Sequence, residues 1–287
     1  MMRSMFAAIS GLKAHQTMLD VTANDIANVN TLGYKSERAT FKDSLSQMQR
    51  GAAAPGANTG GSNAMQIGLG VQLGSIDNLM QSGAVQTTGN VYDVAIQGTG
   101  WFRVATGTPP AASALPAGVY APPATGTVPE YTRAGNFARN SEGYLVTQEG
   151  YYVVGRDAAG ADCYLNVPNG ASNVAIGQDG SVTFDPPGGG ARVTAGYLSL
   201  ATFANESGLQ RVSGNRWIAS GSSGLEQVST PGNPGFGSVA SGAVEMSNVD
   251  LASEFTNMIT AQRGFQANSR VISTSDEMLQ DLVNIKR

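Results

Sequence analysis

Residues 251–283, LASEFTNMITAQRGFQANSRVISTSDEMLQDLV, decide how the chain is organised. Within them, positions alternately four and three apart place one stripe along a helix, as in coiled coils. The stripe comprises Leu251, Phe255, Met258, Gln262, Phe265, Ser269, Ile272, Asp276, Leu279 and Val283. Three of these positions are polar, and polar residues in such a stripe set the register at a cost in stability. The segment therefore predicts a long α-helix that packs against another helix.

The N-terminal residues repeat this spacing through Met5, Ile9, Leu12, Gln16, Leu19, Ala23 and Ile26. They predict a helix from about Ser4 to Asn28, and Gly33 suits the left-handed turn that ends it. Small residues beside the stripe, such as Gly11, permit a close helix contact. Because both ends of the chain carry the same kind of helix, we expect an assembly subunit rather than an enzyme. The subunit contacts are expected at Ile9, Leu12, Leu19, Ile26, Leu251, Phe255, Met258, Phe265, Ile272 and Leu279.

A second, shorter helix is predicted from Ser36 to Gln49, because Phe41, Leu45 and Met48 fall on one helical face. Residues 50–65 follow as a linker rich in Gly, Ala and Asn, expected to be extended or mobile. Residues 220–242 form a second Gly/Ser/Pro-rich linker, and residues 109–129 a long Pro/Ala-rich surface loop.

The middle of the chain is patterned as short strands separated by Gly-bearing turns. Residues 92–96 and 100–104 predict a hairpin that turns at residues 97–99. Further strands are predicted at residues 67–73, 131–137, 144–147, 151–154, 174–176, 180–184 and 197–203. The fold class is therefore α+β, with N- and C-terminal helices in a coiled-coil-like inner layer and a central antiparallel β-rich domain.

The predicted domains follow this pattern along the chain. They are residues 1–50 (N-terminal helical part of the inner layer), 51–90 (linker and first strand region), 91–219 (β-rich outer domain), 220–242 (linker) and 243–287 (C-terminal helix of the inner layer).

Composition excludes several classes of protein. Charged residues make up 13% of the chain and the net charge is −4, so no basic surface for nucleic acid is expected. One cysteine, Cys163, excludes an internal disulfide and a cysteine-based metal site. No apolar run approaches the roughly 18–20 residues of a membrane span. Lys13 and His15 interrupt the apolar start of the chain, so no general secretory signal is expected.

The inventory of catalytic residues is poor. His15 is the single histidine, so no histidine pair is available for a metal or a proton relay. Cys163 lies in no nucleophile motif, and no phosphate-binding or dinucleotide-binding loop is present. We therefore expect no catalytic site, no cofactor and no metal.

Three regions carry a resemblance to a known family. Residues 19–35, LDVTANDIANVNTLGYK, resemble the N-terminal signature of bacterial flagellar rod and hook proteins. Residues 247–251 (SNVDL) and 261–269 (AQRGFQANS) resemble the C-terminal motif of that family. The middle is similar as well, at residues 93–102 (DVAIQGTGWF) and 131–137 (YTRAGNF).

This resemblance implies a tubular axial filament whose helical inner layer lines a central channel, with an outer β domain making lateral contacts. It implies a location in the extracellular part of the flagellum and export through the flagellar type III apparatus. Phe41 and Leu45 are similar to the Phe-x-x-x-hydrophobic element that early export substrates present to the export gate. The implied partners are many copies of the chain, neighbouring rod, hook-cap and hook–filament junction proteins, and the export apparatus. Neither nucleic acid nor membrane insertion is implied.

Two features favour different members of this family. A length of 287 residues leaves little room for the additional outer domain of many hook proteins, which favours the distal rod. The C-terminal residues 263–270 and 282–287 resemble short hook subunits instead. We predict a hook subunit, with a distal rod subunit as the alternative and a non-flagellar filament or tail-type protein as a further one. A carbohydrate-binding or carbohydrate-degrading module is disfavoured because no spaced acidic pair stands out.

Overall fold

The computed structural model describes residues 2–55, 60–107 and 129–285, and the chain separates into two compact units. The helical unit comprises residues 1–27, 37–79 and 249–287. The β unit comprises residues 28–36 and 80–248. Both ends of the chain therefore contribute to the helical unit, whereas the middle forms most of the β unit.

Two helices dominate the helical unit: α1, Met2–Ala27, and α2, Leu251–Ile285. The Asp250 carboxylate accepts a hydrogen bond of 3.0 Å from the Ala252 N–H, which caps the start of α2. Both terminal helices predicted from the spacing are confirmed, and the α+β fold class with them. Residues 108–128, which contain most of the predicted surface loop, lie outside the described residues.

The prediction of a helix over residues 36–49 was wrong. These residues form β1 (Glu37–Asp43) and β2 (Ser46–Arg50), which pair antiparallel with β4 (Val71–Asn78) and β3 (Met65–Gly68), respectively. Phe41, Leu45 and Met48 have the spacing of one helix face. A partner strand is available, however, and Phe41 pairs with Leu73 of that strand. Tertiary pairing overrides a short local pattern of this kind. We call this ribbon of four strands the arm.

The predicted linker over residues 50–65 continues the arm. Ala53 and Ser62 form an antiparallel bridge beyond the β2–β3 pair, with backbone hydrogen bonds of 2.9 and 3.0 Å. Residues 56–59 lie outside the described part of the chain.

The β unit consists of short antiparallel strands. They are β5 (Val85–Thr87), β6 (Val94–Gln97), β7 (Trp101–Ala105), β8 (Glu130–Thr132), β9 (Ala138–Arg139), β10 (Leu145–Val146), β11 (Tyr152–Arg156), β12 (Asp162–Tyr164), β13 (Ser172–Ile176), β14 (Ser181–Asp185), β15 (Val193–Leu198), β16 (Leu200–Thr202), β17 (Gln210–Val212), β18 (Arg216–Ile218), β19 (Gln227–Ser229), β20 (Ser238–Ser241) and β21 (Ala243–Glu245). The main sheet has the order β13-β14-β15-β11-β7-β8-β18-β17, with β9, β10, β12, β16 and β19 paired beside this path. β20 pairs with β6, and β21 pairs with β5.

Two sequence predictions fail in this unit. β6 and β7 do not form a hairpin, because β6 pairs with β20 while β7 pairs with β8, β11 and β16. Gly98 and Gly100, with φ of 109° and 134°, redirect the chain between the two strands without folding it back. Residues 220–242 contain β19 and β20, so that stretch is not simply a linker. Such short strands are stabilised by pairing with distant partners and show no periodicity of their own.

The core of the β unit is aromatic and tightly packed. Trp101 and Trp217 meet edge to face with ring centroids 5.7 Å apart, and Phe102 and Phe137 meet in the same way at 5.2 Å. Gly135 sits where an added Cβ would overlap the Val94 carbonyl, so the motif around Phe137 needs glycine for backbone packing. The β unit therefore closes a complete hydrophobic core within one chain.

Candidate assembly surface

The two helices of the helical unit run antiparallel and approach each other at glycines. A Cβ added to Gly11 would lie 2.8 Å from Asn268 Nδ2, and a Cβ added to Gly264 would overlap the His15 imidazole. A step of four residues toward the C-terminus of α1 thus corresponds to a step of four residues toward the N-terminus of α2, as expected for antiparallel helices. In this contact, glycine is used because the partner side chain fills the space that a Cβ would need.

The closest points of this contact are small and polar residues that lie beside the predicted apolar stripes. Ala8 on α1 and Ala261 and Ser275 on α2 are small residues that are buried as well. These residues lie next to the predicted stripe positions and not on them. The intrachain contact therefore spares much of the large apolar surface of both helices.

The residues predicted for subunit contacts differ in exposure. In one chain Ile9, Leu251 and Phe255 are exposed, Phe255 by 50%. The others are half-buried: Leu12, Leu19, Ile26, Met258, Phe265, Ile272 and Leu279. Further large apolar side chains are exposed on the same helices, namely Phe6, Ile259, Val271, Met278, Leu282, Val283 and Ile285. A stretch of this extent marks an interaction surface rather than scattered surface residues.

The arm carries a second uncovered apolar face. Alternate strand residues share a face, and Leu45 pairs with Leu69 through the hydrogen bond from the Leu69 N–H to the Leu45 carbonyl, 2.8 Å long. The exposed apolar residues on this side are Phe41, Leu45, Ile67, Leu69 and Leu73. Phe41 and Leu45, predicted as an export element, therefore lie on a strand ribbon. A two-stranded ribbon is marginally stable alone, so this face benefits from a further layer.

The arm approaches α1 closely at Gly70 and Val71. The Ser10 hydroxyl accepts a hydrogen bond of 3.2 Å from the Val71 N–H. Gly70, with φ of 124°, lies against the same side chain, where a Cβ would collide with the hydroxyl. The small residues beside the first stripe thus provide room for the arm as well as for α2.

The β unit contains a buried ionic cluster that sequence analysis missed. Lys35 Nζ lies 2.7 Å from Glu245 Oε1, and Arg133 lies 3.2 Å from the other oxygen of that carboxylate. The side chains of Lys35 and Glu245 are completely buried. The carboxylate also accepts from the Gly83 N–H at 2.9 Å, and Lys35 donates to the Gln81 carbonyl at 2.8 Å. Burial lowers the pKa of Lys35, while Glu245 opposes that shift.

This cluster explains much of the N-terminal signature. Lys35 and Glu245 are 210 residues apart in sequence, so the cluster joins the segment after α1 to the strand before α2. The Gly33 N–H donates to the Glu245 backbone carbonyl at 2.8 Å, and the Arg211 guanidinium stacks on the Tyr34 ring at 4.7 Å. Nothing in the spacing of these residues reveals the pairing, because the partner of Lys35 lies at the other end of the chain.

The β unit also contains an open cleft of about 470 Å³, lined in part by Thr31, Asn136, Glu149, Asn215 and Arg216. Its charged groups are engaged with each other. Arg216 pairs with Glu130 and with Glu149 at 3.0 Å, and it stacks on the Tyr151 ring. These contacts position the turn at Asn215 and leave the guanidinium neutralised.

The single histidine and cysteine occupy structural positions. His15 packs between the helices against Gly264. Cys163 is buried, and burial near Asp157 and Asp162 raises its pKa to about 12, which keeps the thiol protonated and unreactive. Within the described ranges, no group of three or more His, Cys, Asp or Glu side chains could hold a metal ion. No helix in the described part of the chain is long and apolar enough to cross a membrane.

Comparisons with known proteins agree with this architecture. Residues 5–35 match a family described as flagella basal body rod protein. Residues 123–184 match the flagellar hook protein FlgE/F/G D1 domain, and residues 240–285 match the flagellar basal body rod FlgEFG protein C-terminal family. The flagellar basal-body rod protein FlgG of Bacillus subtilis is 45% identical over 100% of both chains. The chain belongs to the flagellar rod and hook protein family.

Within this family the comparisons favour rod proteins over hook proteins. The FlgG rod protein of Caulobacter vibrioides is 36% identical over 97% of each chain. The flagellar hook protein FlgE of Borreliella burgdorferi is 27% identical over an alignment of 441 residues that covers all of both chains. That hook protein therefore contains segments that this 287-residue chain lacks. The comparisons thus favour the distal rod alternative, which the chain length indicated, over the hook subunit predicted from the C-terminal residues.

Proposed function

We propose that this chain is a subunit of the distal rod of the bacterial flagellum, polymerising into a tube whose channel passes exported subunits. The observation that carries the proposal is the full-length similarity to FlgG rod proteins, 45% identical in Bacillus subtilis. The helical unit supports it, since its helices expose residues such as Phe255 and Leu282 that one chain cannot cover. The proposed role is structural and non-enzymatic. Copies of the chain and the axial proteins above and below it are the proposed partners.

The route of delivery is part of the same proposal. Export through the flagellar type III apparatus would deliver the chain to the growing tip, and the exposed Phe41–Leu45 segment is the candidate export element. Because the family location is the flagellum, the proposed site is the basal body, between the inner rod and the hook.

Rod and hook roles are distinguished by deleting the gene for this protein in the bacterium that produces it and imaging the isolated basal bodies. We expect incomplete rods that carry no hook, and full restoration by the intact gene. Complete rods that lack only the hook would restore the hook interpretation and overturn this one.

The structural role is tested by placing a charge on the uncovered helix surface. Phe255→Asp should stop assembly while the protein is still exported, because a carboxylate is costly to bury at a repeated contact. Thr260→Asp on the same helix is the matched control, since Thr260 is exposed and polar already and lies about 140° around the helix from Phe255. Normal motility of Phe255→Asp cells would count against polymerisation through this surface.

A further inference from the structure

The register of the helix pair places the end of α2 beyond the described part of α1. Gly11 faces Asn268 and His15 faces Gly264, so continuing this register places Met2 opposite Glu277. Residues 278–285 then extend past the described part of α1 by about 12 Å at 1.5 Å per residue. We call residues 278–285 the overhang.

The overhang has an apolar stripe beside acidic residues. Met278, Leu282 and Ile285 follow the i, i+4, i+7 spacing of one helix face and are exposed by 50%, 52% and 82%. Asp281 adjoins this stripe and Glu277 precedes it, and both are exposed. A helix end of this kind is poorly suited to remain in water.

A complementary stripe lies at the opposite end of the same helix. Phe255, Ile259 and Arg263 are spaced four residues apart and share a face, and the two apolar members are exposed by 50% and 51%. Arg263 and, further along, Arg270 are exposed and basic. We call Phe255, Ile259 and Arg263 the receiving stripe. The charge of Arg263 is opposite to that of Asp281 in the overhang, and both stripes present exposed apolar side chains next to that charge.

We infer that the overhang of one copy packs on the receiving stripe of the next copy along the axis. Because the two surfaces differ, the contact is heterologous and repeats head to tail, which builds a filament rather than a closed dimer. Subunits related by a helical filament point the same way, so the two α2 segments run parallel. Asp281 of each copy then approaches Arg263 of its neighbour. The inference rests on the proposed rod function and names the axial contact within it.

Cysteine cross-linking tests the contact directly. Ile259→Cys and Met278→Cys are introduced together, since these residues lie side by side when Asp281 of one copy approaches Arg263 of the next, and isolated basal bodies are treated with a mild oxidant. The two positions are 19 residues apart on one helix, about 29 Å, so a disulfide between them must join different copies. Cys163 is buried and does not compete. We expect a ladder of linked multimers, and only dimers or no products from either single-cysteine variant.

Charge reversal supplies a second test of the same contact. Arg263→Asp or Asp281→Arg places like charges together and should lower the cross-linked yield about tenfold or more. Combining Arg263→Asp with Asp281→Arg should restore it, which loss of folding could not produce. Lys13→Asp, an exposed charge on α1 outside both stripes, is the matched control.

The outcomes separate this contact from the rod function. Basal bodies that contain the chain but give no ladder would overturn the contact and leave the rod function standing. Absence of the unmutated chain from basal bodies would overturn both. A ladder that charge reversal does not weaken would overturn the proposed pairing of Asp281 with Arg263.

Discussion

The two units of this protein differ in what they bury. The β unit takes a lysine, an arginine and a glutamate completely or almost completely out of water and gives each an oppositely charged partner. The helical unit does the reverse. It buries small residues such as Ala8 and Ala261 in its helix contact and leaves Phe6, Phe255 and Leu282 largely exposed.

This difference indicates how each unit reaches its final stability. The β unit pairs the buried charges of Lys35, Arg133 and Glu245 and packs an aromatic core within one chain. Among the described residues, the buried hydrophobic clusters all lie in the β unit, whereas the helical unit leaves large apolar side chains exposed, and burying each contributes roughly 1.5–3 kcal/mol. We propose that the β unit folds independently and that the helical unit depends on neighbouring copies to complete its packing.

The largest expected effect is therefore a difference in hydrogen exchange. In the monomer, amides of α1 and α2 should exchange several orders of magnitude faster than amides of β7 and β11, because helix opening exposes little apolar surface that was covered. In assembled material the helices should become protected. Mass spectrometry of exchanged, digested protein measures both states. Equal protection of helices and sheet in the monomer would show that the helical unit is complete by itself.

The next effect concerns the buried cluster. Glu245→Gln removes the charge that pairs with both Lys35 and Arg133, and breaking a buried pair in this way costs about 3–5 kcal/mol. Denaturant unfolding followed by the fluorescence of Trp101 and Trp217, both in the β unit, measures the loss. Glu277→Gln is the control, since Glu277 is exposed on α2. A loss below 1 kcal/mol for Glu245→Gln would show that the cluster does not stabilise the β unit.

The terminal helices could be predicted from the sequence because their pattern is long and local. A stripe that repeats over more than thirty residues has few alternative explanations. Which surface the stripe residues contact was harder to predict. The stripe positions were predicted to form contacts between subunits and stay a prediction, while the closest approaches of the two helices within one chain lie at the adjacent Gly11 and Gly264.

The arm and the buried cluster could not be predicted because they depend on distant partners. Three apolar residues between Phe41 and Met48 fit a helix as well as a strand, and only pairing with residues 65–78 decides the outcome. Lys35 and Glu245 meet across 210 residues. The choice between rod and hook shows a similar limit of local patterns. The length of the chain, which favours the proposed rod role, agreed better with the comparisons than the short C-terminal resemblance to hook subunits did.

A smaller effect is expected in the helix contact itself. Gly264→Ala places a methyl group into the His15 imidazole, and overpacking of this kind typically costs 1–3 kcal/mol. Circular dichroism should show earlier loss of helix on heating, while the tryptophan signal of the β unit stays unchanged. Gly11→Ala should cost less, because the side-chain amide of Asn268 can move away. Adding His15→Ala should rescue Gly264→Ala. Failure of that rescue would mean that the two residues do not share the contact.

The smallest effect should come from Glu206, which contrasts with the well-paired Glu245. Burial raises the pKa of Glu206 above its usual 4.5, while Arg133 and Lys35 oppose the shift. The folded protein thus holds this proton to higher pH than the unfolded chain does, so the free energy of unfolding falls as pH rises from 4.5 through the folded pKa. Glu206→Gln removes the titration and should raise stability at pH 7 by less than about 1 kcal/mol. The difference in the free energy of unfolding between Glu206→Gln and the unmutated protein should therefore increase from pH 4 to pH 7. A difference that decreases over this range would mean that Arg133 and Lys35 outweigh burial, and that the cluster holds two carboxylates as ions instead of one.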